Sequence, residues 1–207
     1  MDAEKNYSRI CNERGRKKIR KVFFPIEPKK FIDEKIILKG EVLDFGCGIN
    51  SFYYSKTKKD GGKYTGFDLD EETVKWLKEK RAFFDFWKEE KQFDFIIASH
   101  VYEHLEKKER EKFIKRSLKL LKKEGHLLVG FPNALNLSGL EYWKDKTHEV
   151  PPSPFDEGNY IELFGFSTET ILIGISVWPP HNFFRLIANL LLGFSPQHYC
   201  LVLCKKN

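Results

Sequence analysis

Cysteine is scarce in this 207-residue chain. There are four, Cys11, Cys47, Cys200 and Cys204, with no Cys-x-x-Cys pair. Their spacing suits neither a zinc ribbon nor a disulfide framework, so no structural metal is expected from them. Cys200 and Cys204 fall on one side of a predicted strand, as small apolar residues do. Long apolar runs are also missing: none reaches the ~18–20 residues that a spanning helix needs. The opening "MDAEKNYSRICNERGRKK" has no apolar signal-type region, and the expectation is a cytoplasmic, reducing location. Nor is there charge of one sign. Thirty-six Lys and Arg stand against thirty Asp and Glu, a net charge of +6, and runs such as "EKKEREKFIKR" mix the two as solvated helix faces do. That balance permits anionic partners without requiring them. Internal repeats and low-complexity linkers are absent as well.

What is present is apolar material in short parcels. Hydrophobic residues make up 41% and aromatics 15%, with 19 Phe, which places the chain among globular rather than disordered sequences. From residue 41 a regular alternation begins. "EVLDF" (41–45), "YTGFD" (64–68), "RAFFD" (81–85), "FDFIIAS" (93–99) and "HLLVGF" (126–131) are brief, aromatic or β-branched, and bounded by turn signals. Between them, "DEETVKWLKEK" starts acidic and ends basic, in line with a helix dipole. In "EKKEREKFIKRSLKLLKKEG" the residues Phe113, Ile114, Ser117, Leu118 and Leu121 share one helical face, and Gly125 is the predicted stop. Strands alternating with helices predict a parallel sheet with crossovers. Residues 1–37 read as a basic segment, "RGRKKIRK" included, plus a short helix. Residues 38–207 read as the main domain, with an irregular insertion at about 132–160 of the length that usually carries function. A strand "TILIGISVW", an apolar helix "FFRLIANLLLGF" and a last strand "HYCLVLC" follow.

The first of these strands runs into "VLDFGCGIN". Gly46 and Gly48 let a turn lie against a ligand and aim N–H groups at it. A dinucleotide fingerprint would need a small residue at position 51, where Ser51 stands, and would bind pyrophosphate. Asp44, at the strand end, is ill placed beside pyrophosphate but well placed near a cation. Asp68 and Asp85 end the next two predicted strands, giving three acids along one lip of the sheet. Such a lip suits a nucleoside bearing an ammonium and a sulfonium.

Through "VLDFGCG", "YTGFDLD", "FFDFW" and "FDFIIASHVYEHL", the chain resembles class I S-adenosylmethionine-dependent methyltransferases from about residue 38 to 131, and more loosely beyond. The resemblance implies a three-layer α/β sandwich on a mainly parallel, seven-stranded, Rossmann-like sheet, with "HYCLVLC" inserted antiparallel beside "TILIGISV". It implies S-adenosyl-L-methionine as cofactor. Asp44, Gly46, Cys47 and Gly48 would cradle its methionine part, Asp68 would hold the ribose and Leu69 would lie against the adenine. Asp85 would take the adenine amine, Phe86 would stand beside the ring, and Ser99 and His100 would line the methionine end. Many members carry a third glycine where this chain has Asn50.

His100-Val-Tyr-Glu103-His104 also fits H-x-x-E-H, an inverted zinc-protease signature. It directly follows an apolar strand instead of sitting mid-helix, and a third ligand is not evident nearby, so no metal is expected. On the acceptor side the candidates are Tyr142, Trp143, Asp145, Thr147 and His148, after Pro132-Asn133. "DKTHEV" resembles the Thr-His pair of small-molecule methyltransferases. His148 is the first candidate for general base or for positioning the acceptor, and His100 is the second. The expected reaction is methyl transfer to a small molecule at a hydroxyl. Two other readings stay open. One is an RNA or other nucleic-acid methyltransferase, although "SHVYEH" stands where amino-methylating DNA enzymes carry a D/N-P-P-Y/F grip. The other is a non-catalytic accessory protein with the same fold, to which the apolar helix would lend a partner or membrane surface.

Overall fold

A computed structural model of the chain describes residues 19–22, 26–136, 145–149, 151–154, 156–175, 180–192 and 194–207. Cys11, Arg14 to Lys18, Tyr142 and Trp143 lie outside the described residues. The strands are β1 (Ile19–Lys21), β2 (Glu41–Phe45), β3 (Lys63–Phe67), β4 (Phe93–Ser99), β5 (Leu121–Pro132), β6 (Phe166–Ile173) and β7 (Tyr199–Lys206). The helices are α1 (Pro28–Lys35), α2 (Phe52–Lys59), α3 (Glu71–Lys80), α4 (Lys107–Leu120), α5 (Glu157–Glu162) and α6 (Pro180–Leu191). All seven strands form one sheet in the order β1-β6-β7-β5-β4-β2-β3.

Parallel pairing joins β2 to both β3 and β4, and β4 to β5. These strands are covered on both faces and therefore read as continuous apolar runs. Only β7 runs against its neighbours, antiparallel to β5 and to β6. Side-chain alternation divides the core in two. Leu127 and Val129 join Phe113 and Ile114 of α4 and Ile161 of α5 on one face. Leu128 joins Phe31 and Ile32 of α1, Tyr53 of α2 and Leu77 of α3 on the other. Three layers result, as the resemblance implied. Each fully buried Leu, Ile or Phe contributes roughly 1.5–3 kcal/mol to holding them together.

The seven strands are not the seven expected. "RAFFD" makes a single bridge, Gly66 to Phe83, and no strand. Its aromatics serve the core instead: Phe84 and Phe86 are buried among Phe67, Phe93 and Phe113. The missing place is taken by β1, from the segment read as a basic arm, which pairs parallel with β6 at the sheet edge. Helix α4 also ends earlier than its periodicity predicts. Leu121 is already extended and pairs with Phe93, and Glu124 adopts φ 62 before Gly125. Sheet pairing wins over helical propensity there.

Local signals set the loops on the site side. Ser51 caps α2 by accepting from Tyr53 N–H (3.1 Å), and Asp70 caps α3 by accepting from Thr73 N–H (2.8 Å). Before α4 the chain makes a short 3₁₀ turn at Tyr102–His104, and Glu106 and Glu109 then close a capping box.

Candidate active site

The C-terminal ends of β2, β3 and β4 converge where a parallel sheet presents its ligand crevice. The turn after β2 is built tightly. Gly46 N–H donates to the Phe67 carbonyl (2.8 Å) and has φ 70; a Cβ there would stand 2.2 Å from Val101 Cγ2. Gly48, at φ 56, is different, because a Cβ there would meet nothing within 4 Å. The first glycine is required by protein packing and the second faces open space. Such an open, backbone-lined wall is what close approach of a ligand needs.

Asp68 ties the two turns together. One carboxylate oxygen accepts from Gly48 N–H (2.8 Å), and the other accepts from Leu69 and Asp70 N–H (2.8 and 3.0 Å). A carboxylate has roughly four acceptor positions, so capacity remains for a ligand hydroxyl. Asp68 lines a cavity of about 500 Å³ with Leu69, Trp87, Val101, His104 and Leu105. Leu69 is 76% exposed, a costly apolar display that a planar base would cover.

Asp44 is buried and accepts from the Ser51 hydroxyl and from Tyr64 Oη (3.0 Å). Burial pushes its carboxyl up to about 6 against the pull of those two donors, and the Asp68 carboxylate adds to the rise. An added cation would relieve that strain. Asp44, Gly46, Cys47, Ser99, His100 and Tyr199 border a second, smaller cavity of about 150 Å³, which shares Gly46 with the larger one. Burial pushes the Cys47 thiol up to about 12, helped by the Asp44 carboxylate, which disfavours the thiolate.

His100 follows β4 in the left-handed region, φ 58, which is uncommon for a residue with a side chain. Its N–H donates to the Gly130 carbonyl (3.0 Å). The ring, 63% exposed, stands with Nδ1 3.5 Å from the carboxylate of Glu103, which is 1% exposed. Ser99 Oγ lies 2.9 Å from Tyr199 Oη. His100 therefore does not share a helix with Glu103 and His104, and the zinc-protease arrangement is not formed. His148 lies on the 145–149 segment, which rests on the 3₁₀ turn through Glu149 N–H to the Glu103 carbonyl (3.1 Å). Its ring is 4.6 Å from that of His104, centroid to centroid.

Two expected residues take other places. The Asp85 carboxylate accepts from Trp87 and Lys88 N–H (3.1 and 3.2 Å) and pairs with Lys88 Nζ (3.4 Å), so its first role is to close the 85–89 turn. Phe86 is fully buried among Phe45, Phe67 and Phe113, and the aromatic wall of the larger cavity is its neighbour Trp87. Sequence reasoning passed over Trp87, although one-residue alternation after a buried Phe was a usable signal. A third cavity of about 500 Å³ opens beside the 145–149 segment, lined by Glu106, Lys107, Arg110, Glu149, Glu157 and Tyr160.

A family profile described as a methyltransferase domain matches residues 12–166. Among solved structures, a SAM-dependent methyltransferase from Archaeoglobus fulgidus superposes with a TM-score of 0.70 at 22% identity, over 86% of this chain and 92% of that one. An S-adenosylmethionine-dependent methyltransferase from Mesorhizobium loti gives 0.60 at 14% identity, over 82% and 93%. Magnesium protoporphyrin IX methyltransferase from Synechocystis, solved with bound SAM, gives 0.56 at 14% identity, over 99% and 79%. No curated protein matches the chain. With the glycine turn, the acid at the end of β3 and the sheet order in place, the chain belongs to the methyltransferase-domain family and shares the fold of solved S-adenosylmethionine-dependent methyltransferases.

Proposed function

We propose that the chain transfers a methyl group from S-adenosyl-L-methionine to a hydroxyl of a small molecule. The observation that carries this reading is a pair of neighbouring cavities: Asp68, Leu69 and Trp87 line the larger, Asp44, Ser99 and His100 the smaller, and Gly46 belongs to both. Asp68 would hold the ribose, Leu69 and Trp87 would sandwich the adenine, and Gly48 would admit the chain linking the two halves. Asp44 and Ser99 would receive the methionine end. When bound, the cofactor supplies a methyl group on a sulfonium, whose departure leaves a neutral thioether.

The remaining work is alignment and one proton. Holding acceptor and donor in line can supply roughly 7–11 kcal/mol of the barrier. His100 lines the smaller cavity, and the Glu103 carboxylate stands 3.5 Å from its Nδ1. In this reading His100 takes the proton and His148 positions the acceptor.

Labelled methyl transfer to a panel of acceptors matched in skeleton, hydroxyl against amine, tests the proposal. Label on the hydroxyl members, lost in His100→Ala, supports it. Label recovered on total RNA but on no small acceptor would transfer the assignment to nucleic acid. Cofactor binding without label on either would favour an accessory role.

A further inference from the structure

At the edge of the larger cavity, one group of side chains among the described residues has the composition of a metal centre. Glu103, His104 and His148 each offer one ligand atom, and these three atoms lie within 4.8 Å of one another. We propose that they bind a divalent transition cation, with zinc as the reference ion, at the acceptor edge of the cleft. This reverses the absence of a metal expected from the sequence, because His148 is 44 positions from His104 and only the fold brings it in.

The geometry is close to what a cation asks. Ligand atoms ~2.0–2.2 Å from zinc stand about 3.4 Å apart in a tetrahedron, so atoms within 4.8 Å of one another need to close by at most about 1.4 Å. Two imidazoles and one carboxylate are a donor set for zinc and its first-row neighbours, and three protein ligands leave a position open. Glu103 is 1% exposed while His104 and His148 are half-buried, so the group is screened from water on one side and open on the other.

The surroundings fix the orientation that a ligand histidine needs. Thr147 Oγ1 donates its one proton to Asp145 Oδ1 (2.6 Å). Its oxygen, 2.9 Å from His104 Nδ1, must therefore accept from that ring, and the Thr147 carbonyl lies 3.3 Å from the same nitrogen. With Nδ1 engaged by Thr147, Nε2 is the ring atom left to serve as a ligand. That is the outer-shell device by which metal-binding histidines are oriented. Asp145 organises the same turn: it accepts from Thr147 N–H (2.9 Å), its carbonyl accepts from His148 N–H (3.2 Å), and its carboxylate stands 3.7 Å from His148 Nε2.

Place follows from neighbours. His104 lines the larger cavity, and Glu103 touches His100 of the smaller. A cation here would hold an acceptor oxygen at its open position and lower that oxygen's pKa, as zinc does for water. The proton would pass to His100 as the oxygen takes the methyl group. This role rests on the methyl-transfer reading; the binding site does not.

The test uses the full chain, stripped with chelator and dialysed, then titrated with Zn²⁺ calorimetrically and with Co²⁺ by visible absorption. One equivalent of tight binding is expected, with an intense low-symmetry Co²⁺ spectrum. His104→Gln and His148→Ala should each weaken binding by more than about 100-fold. The positioning change Thr147→Val should cost about 10-fold, restored by Thr147→Ser. Thermal melts of the metal-free variants, unchanged from the parent, separate ligand loss from misfolding. A parent chain that takes up no Zn²⁺ would overturn the proposal, as would unaltered affinity in both histidine variants. Titration of the same samples with S-adenosylhomocysteine keeps the readings apart. Metal uptake without nucleoside binding would remove the methyl-transfer role alone, and the reverse would remove the metal alone.

Discussion

Replacing Asp44 by Asn should make the protein more stable at neutral pH and less able to bind its cofactor. The carboxyl is fully enclosed, and burial lifts it from 3.8 to about 6. A shift of about 2 units corresponds to about 3 kcal/mol spent on keeping the buried group ionised. The sign follows from the direction. An acid raised in the folded state favours folding most below its unfolded value, and that advantage fades as pH rises through about 6. Asn does not titrate, and its oxygen can still accept from Ser51 and Tyr64. Its new N–H groups need partners, a loss of roughly 1 kcal/mol. The net gain, about 2 kcal/mol, converts to about 4–8 °C in melting temperature for a chain of this size. Melting curves of both proteins from pH 4 to 8 measure it. The gap should be near zero at pH 4 and grow to its plateau above pH 6. A pH-independent gap, or a variant less stable at pH 8, would refute the reasoning about the buried charge. Affinity for the sulfonium cofactor should fall in the same variant, because the field that destabilises the empty cleft is the field a cation relieves.

Gly46→Ala should destabilise by at least ~1–3 kcal/mol, since φ 70 strains a side chain and its Cβ would stand 2.2 Å from Val101 Cγ2; urea denaturation at constant m-value reads it. Trp87→Ala and Phe86→Ala should part company. The first, at the wall of the larger cavity, should weaken S-adenosylhomocysteine binding by about 10-fold with a small change in stability, at the ~1–3 kcal/mol scale of base stacking. The second, fully buried, should cost about 3–5 kcal/mol of stability. Equal stability losses in the two would contradict the placement of the adenine.

The sheet's centre was readable from the sequence because β2, β3 and β4 are short apolar runs punctuated by Gly, Asp and Ser, and burial on both faces demands that pattern. The glycine turn was readable because glycine is the residue that takes φ 70 and φ 56, as at Gly46 and Gly48, without strain. What failed did so for identifiable reasons. "RAFFD" has strand-like composition, yet its aromatics are consumed by the core around Phe84 and Phe86, and one bridge is all that pairs. β1 was hidden in a basic segment because an edge strand tolerates Arg20 and Lys21 facing water. The early end of α4 was invisible locally, since Leu121 suits a helix face as well as the strand partner of Phe93. The grouping of Glu103 and His104 with His148 depends on a loop folding back, which no local spacing records.

Calorimetric titration of the purified chain with S-adenosylhomocysteine, alongside Asp68→Ala, tests the central claim most directly. Micromolar binding, about −8 kcal/mol, lost by about 100-fold or more in the variant, is the predicted result, since Asp68 joins Gly48 and Leu69 at the cavity wall. No heat at millimolar ligand, or equal affinity in the variant, would contradict the assignment of this cleft to the cofactor.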